Sequence, residues 1–131
     1  MIEGIHHLNC IVRDLASAVP AWERVLGRPV TATDKLDARG VDIARFDLGN
    51  IWLILVAPNR PGTKAAQHLA RHGEGFFLVS LQTDSLAGEI ARLGDAAFDG
   101  PVRAGLDDWL VRDVAEQAGL GVQVQFVESG G

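Results

Sequence analysis

The sequence predicts an α+β fold: two tandem βαβββ modules whose strands form a curled mixed sheet around a central cleft. Three observations predict it. First, a register of 71 residues lays the segment His7–Val19 over Leu78–Ile90, and in both a short alternating strand runs through an acidic or hydroxyl residue into a helix. Second, the apolar helix positions Leu15, Val19 and Trp22 fall on Leu86, Ile90 and Leu93. Their spacing of four and three lines one helical face. Third, the same shift carries Gly49–Val56 onto Leu120–Val127, two strands that each follow a glycine-containing turn.

The first module, residues 1–57, reads as a strand near 5–12, a helix near 15–26 stopped by Gly27, and strands near 29–33, 41–47 and 50–57. Pro20 falls inside that helix. It is tolerated there if Ser17 caps the helix and Pro20 lies in its first turn, or if the helix kinks. The stretch Pro58–Thr63 is a turn cluster, and Thr63 can cap a short helix through His72, ended by Gly73. That connector, 58–73, joins the second module, 74–128. Its expected elements are a strand near 76–83, a helix near 85–93, and strands near 101–104, 109–115 and 121–128. The 131 residues, 47% of them hydrophobic, suit one domain with a real core.

Bulk properties exclude several function classes. Seventeen acidic against twelve basic residues leave a net charge of −5 with no Lys/Arg cluster, which argues against nucleic acid or an anionic membrane as partner. The longest apolar run, Ile51–Ala57, is far too short to span a bilayer. Nothing resembling a signal peptide precedes the first strand, and a single cysteine makes neither an internal disulfide nor a thiolate metal site. The expected compartment is the cytoplasm.

Strand alternation then sorts the cleft lining. In the first strand, His6, Leu8, Cys10 and Val12 should meet the helix, leaving His7 and Asn9 to face the cleft. The same rule sends Val79, Leu81 and Thr83 to the second helix and Leu78, Ser80 and Gln82 inward. In the last strand Val122, Val124 and Phe126 pack, while Gln123, Gln125 and Val127 face inward. The repeat assigns Trp52 and Ile54 to the cleft. The expected lining is therefore neutral, partly apolar and rich in hydrogen-bonding groups, with His7 its single titratable member.

The residues HLNCIVRDLASAVPAWERVLG from His7 to Gly27, GNIWLILVAP from Gly49, AAQHLARHGEG from Ala65 and GVQVQFV from Gly121 together resemble the vicinal oxygen chelate superfamily. That superfamily includes glyoxalase I, bleomycin-resistance proteins, extradiol dioxygenases and methylmalonyl-CoA epimerase. The resemblance covers nearly the whole chain. It points to the epimerase branch, through the helix that ends in H-G-E-G just before the second repeat. It implies four metal-ligand positions, one inward site on each of four strands, which fall on His7, Ile54, Leu78 and Gln125. Neither Ile54 nor Leu78 can donate to a cation, and the usual fourth-strand carboxylate is Gln125. The expectation is no cofactor and no divalent metal; if one bound, His7 and Gln125 would be its ligands. Epimerisation next to a thioester, which that carboxylate serves in the branch, is not expected either.

The remaining candidates read as structure. His68 and His72 share a helix face, but Leu69 stands where a zinc-protease motif has Glu, so both are expected in solvent. Cys10 reads as core, and Gly73–Gly75 precedes a strand rather than the helix of a phosphate loop. The leading expectation is a small-molecule isomerase or lyase acting without metal on an oxygen-rich organic acid, ester or thioester. His7 would be its acid/base, with Asn9, Gln82, Gln123 and Gln125 orienting substrate oxygens. The alternative is a ligand-sequestering protein of the bleomycin-resistance type, without chemistry. In either case a homodimer that buries sheet edges is expected.

Overall fold

The computed structural model describes residues 1–116 and 119–129. The elements follow the expected order. They are β1 (Ile2–Ile11), α1 (Leu15–Leu26), β2 (Ala32–Leu36), β3 (Val41–Asp47), β4 (Trp52–Pro58), α2 (Lys64–His72), β5 (Gly75–Thr83), α3 (Leu86–Leu93), β6 (Phe98–Ala104), β7 (Leu110–Val114) and β8 (Gln123–Glu128). The α+β class and the repeated βαβββ order are as the sequence implies. The chain divides into two compact units: Leu8–Phe77, and Met1–His7 together with Leu78–Gly131. Strand β1 contributes to both.

In the first unit, Leu8–Phe77, β2, β3 and β4 pair antiparallel in that order and β4 neighbours β1. Alternation sends Ala44 and Phe46 of β3, and Leu53, Leu55 and Ala57 of β4, to one face, where they form a core with Val12. Helix α1 covers that core with Leu15, Ala18, Val19, Trp22 and Leu26, alongside Leu8 and Cys10 of β1. Fully buried Phe46 alone stabilises the unit by about 1.5–3 kcal/mol. Two local expectations fail here. Asp14, not Ser17, caps α1, its carboxylate accepting from the Ser17 amide at 2.8 Å, so Pro20 lies beyond the first turn. The second strand begins at Ala32 rather than 29, because the Val30 amide is taken by the Glu23 carboxylate of α1 at 2.9 Å. Thr63 caps α2 as expected. On α2, His68 is not a purely solvated side chain: its ring packs edge-on against Phe77 at 4.8 Å.

In the second unit the order is β1-β5-β8-β7-β6, with β5 and β8 parallel and the rest of the outer hairpins antiparallel. Val79, Leu81, Val124 and Phe126 face α3, meeting Leu86 and Ile90. Ser85 caps α3 by accepting from the Gly88 amide. Leu93, expected on the same face, is exposed, because α3 ends at that residue and the core does not extend beneath it. Strand β6 starts three residues earlier than expected, and a register shift between Asp99 and Arg103 accommodates Pro101 on this edge strand. No helix among the described residues is long and apolar enough to cross a membrane.

Candidate functional site

The alternation that builds the second unit's core leaves the opposite face to a different set of side chains. Paired strands present matched residues to the same side, so Leu78 and Ser80 of β5 share a face with Gln123 and Gln125 of β8. Through the pairings Gln125 with Asp113, Val127 with Val111 and Val111 with Arg103, that face extends to β7 and β6. Its polar members form one chain of hydrogen bonds. Arg103 donates from both terminal nitrogens to the two oxygens of Asp113, at 3.2 Å each. The Gln125 amide donates to Asp113 Oδ1 at 3.3 Å, and the Ser80 hydroxyl donates to Gln125 Oε1 at 3.0 Å. Ser80 is wholly buried and Gln125 nearly so. A half-satisfied network at that depth would cost more than an apolar one, and here each member is partnered.

His7 is 3% exposed. Burial, with the neighbouring His6 as a lesser cause, pushes its pKa down from 6.5 to about 3, so the imidazole is neutral at ordinary pH. Its Nδ1 lies 2.8 Å from Nδ1 of His6, a hydrogen bond in which one ring carries the proton and the other accepts it. Trp109 backs both rings. It stacks on His7 with centroids 5.3 Å apart and 19° between planes, and takes His6 edge-on at 4.5 Å. His6 was expected against the helix, yet it does not join that core. Alternation separates Cβ atoms, whereas Nδ1 lies two bonds beyond Cβ and can turn back along the strand.

The remaining expected site residues divide between the units. In the second, Leu78 is buried, and Gln82 is engaged: its Nε2 donates to the Thr83 carbonyl while its Oε1 accepts from Ser129. In the first, Asn9 carries a buried Oδ1 with no hydrogen-bond partner among the described residues. Trp52 and Ile54 lie on the face of β4 away from α1, and the Arg45 guanidinium sits over the Trp52 ring at 4.9 Å. Arg45 is buried, with Asp34 Oδ2 3.5 Å from its Nε.

The expectation of a neutral lining with one titratable group is therefore corrected. Arg45, Arg103 and Asp113 all occupy the faces opposite the helices. The sequence signal for them was available: Arg45 alternates with Phe46, and Trp109 and Asp113 share parity with Val111.

A family model described as the Glyoxalase/Bleomycin resistance protein/Dioxygenase superfamily matches residues 6–112. Among solved structures, a single-residue variant of Streptomyces coelicolor methylmalonyl-CoA epimerase, in complex with 2-nitronate-propionyl-CoA, is 22% identical, with 100% of both chains covered and a TM-score of 0.88. Methylmalonyl-CoA epimerase from Mycobacterium tuberculosis is 21% identical over 99% of this chain and 90% of that one, with a TM-score of 0.89. A hypothetical protein from Bacillus halodurans C-125 is 18% identical over 97% and 94%, with a TM-score of 0.88. No curated protein sequence matches.

These neighbours overturn one expectation. Methylmalonyl-CoA epimerases of this fold are metal-dependent enzymes, so the inference that a divalent metal has no part here does not stand. At the four ligand positions the chain offers donor atoms only on His7 and Gln125, and none on Ile54 and Leu78. Among the described residues no three His, Cys, Asp or Glu side chains gather. That set does not fit a four-ligand site. The fold, the repeated module order and the span of the match together place this chain in the glyoxalase/bleomycin resistance protein/dioxygenase superfamily.

Proposed function

We propose that the chain is a small-molecule isomerase that moves a proton on an oxygen-rich acyl compound, such as an organic acid thioester, with His7 as the acid/base. The observation that carries the reading is the buried, neutral His7 imidazole, hydrogen-bonded to His6 and stacked on Trp109. The neutral ring is the proton-accepting form. A one-base course, in which His7 takes the proton from one carbon and gives it to a neighbouring carbon on the same face, needs no second titratable group; Asp113 is held by Arg103. The thioester class is carried from the epimerase neighbours, one of which is in complex with 2-nitronate-propionyl-CoA. We place the working protein in the cytoplasm as a homodimer, in which the edge strands β2 and β6 are covered.

A second reading, ligand sequestration without chemistry, is favoured by a specific observation. Ser80, Gln82 and Gln125 spend their hydrogen bonds on protein partners, which leaves fewer donors for a developing oxyanion. Incubation with methylmalonyl-CoA in D2O, followed by proton NMR, separates the two. Deuterium entering the α-carbon, and falling about 100-fold or more in His7→Ala, supports the isomerase. Wild-type exchange that persists unchanged in His7→Ala removes His7 from the chemistry. Bound thioester recovered without exchange leaves sequestration.

A further inference from the structure

We propose that His68 and His72 form a binding site for a borderline-soft divalent cation, of the zinc, nickel or copper(II) class, clipped across the last turn of α2. Neither residue falls at a family ligand position, and the inference does not depend on the role proposed for His7.

Residues four apart stand one above the other on a helix, with Cβ atoms about 5–6 Å apart. His68 and His72 hold that relation at the C-terminal end of α2, and their ring centroids are 4.7 Å apart with 43° between planes. Chelation demands a similar spacing. A zinc–nitrogen bond of about 2.0–2.1 Å puts the metal about 3.2 Å from a ring centroid, so an angle of about 90–110° at the metal separates two centroids by about 4.5–5.2 Å. The observed separation falls inside that range. The His68 ring is held in place: it packs edge-on against Phe77 at 4.8 Å and hydrogen-bonds the Phe76 backbone, in the sense that favours a donating ring N–H. A neutral imidazole carries one N–H and one lone pair, so an N–H spent on a carbonyl leaves the lone pair on the other nitrogen; such a carbonyl is a common outer partner of ligating histidines. Burial, and then the neighbouring His72, lowers the His68 pKa, which keeps the ring in its metal-binding form at neutral pH. His72 is exposed, so an ion reaches the pair from solvent, and the partial negative charge of a helix C-terminus favours a cation there. Imidazole selects these ions over magnesium and calcium, which take oxygen ligands. Two imidazoles leave the other coordination positions to water, so binding is weaker than at a four-ligand structural zinc site.

The test is calorimetric titration of the full chain with zinc chloride and, separately, magnesium chloride, which needs no substrate. The expected result is zinc binding that weakens about tenfold or more in His72→Ala, with magnesium bound far more weakly than zinc by the wild type. His68→Leu, which keeps an apolar side chain against Phe77, should lose as much. Because the ion bridges one helical turn of the folded chain, zinc should also raise the melting temperature of the wild type and leave that of His72→Ala unmoved. Zinc bound equally well by the wild type and both variants overturns the proposal, as does a wild type that binds no zinc or binds magnesium as tightly. Failure of the isomerase reading shows differently, as thioester returned without deuterium exchange while zinc binding still depends on His72.

Discussion

The two units are built on one backbone pattern but put different chemistry on the face away from their helix. In the second unit that face is a hydrogen-bonded series, Arg103 to Asp113 to Gln125 to Ser80, beside the His6–His7 pair. In the first unit the positions equivalent to Gln123 and Gln125 are Trp52 and Ile54, and the buried Arg45 sits over the Trp52 indole with Asp34 beside it. The helix-facing sides barely differ: each is an aliphatic and aromatic layer closed by one amphipathic helix. The repeat thus preserves what packing demands, and leaves the other face free to diverge, because the helix-facing core does not constrain residues there.

Four measurements would break or sharpen that contrast. The largest effect should come from the shared element, the core. Phe46→Ala in the first unit should cost about 3–5 kcal/mol in urea unfolding, because the ring is fully buried and the cavity cannot collapse. A loss under about 1 kcal/mol would mean that this layer is not the stabilising one. Next, the second unit should be the acid-sensitive one. His7 is neutral when folded, with its pKa lowered to about 3, while an unfolded histidine titrates near 6.5. Between those values the unfolded chain binds the extra proton. The contribution of neutral His7 is therefore complete above about pH 6.5 and lost progressively as pH falls towards 3. Thermal unfolding from pH 7.5 to 4 should show the fall, and His7→Phe should flatten it; equal slopes would contradict the buried, neutral assignment.

A smaller loss, about 1–3 kcal/mol, is expected for Asp113→Ala, which strands the Arg103 guanidinium and one end of the Gln125 amide. Equal loss in Asp113→Asn, which keeps a hydrogen-bond acceptor, would assign the effect to charge pairing rather than to the network. The smallest is Asp14→Ala, about 1 kcal/mol, since it removes one cap bond from α1. Ser17→Ala should be nearly silent, because the Ser17 backbone amide, not its hydroxyl, receives the cap.

Legibility in the sequence followed the same division. The helices could be placed because Leu15, Val19 and Trp22, and Leu86 and Ile90, obey a 3.6-residue period with cap residues and glycines at their ends. The faces of β1, β5 and β8 could be sorted by alternation and that of β4 by the repeat, and the cores confirm that sorting for Leu8, Cys10, Leu53, Val79 and Phe126. What could not be read was pairing at a distance. Trp109 has no local mark that sets it against His7, and the Asp113–Gln125 bond joins two strands through a loop of unrelated composition. Nor does period two say where an imidazole ring goes beyond its Cβ, which is why His6 was assigned to the wrong neighbours. The start of the second strand failed for a related reason: a single carboxylate on α1, Glu23, claims the Val30 amide.

The membership of β1 in both units bears on how the protein is made. His7 leaves the ribosome before Trp109 and β8 are translated. At about 5–20 residues per second, the strand waits several seconds before its second-unit neighbours exist. Leu8–Ile11 can already join the first unit while Ile2–His7 still lacks partners. The histidine pair therefore gains its Trp109 contacts only after the second unit's later strands are made. Through that interval the unpaired strand segment is open to whatever nascent or neighbouring strand it meets, so chaperone dependence during translation should concentrate on Ile2–His7.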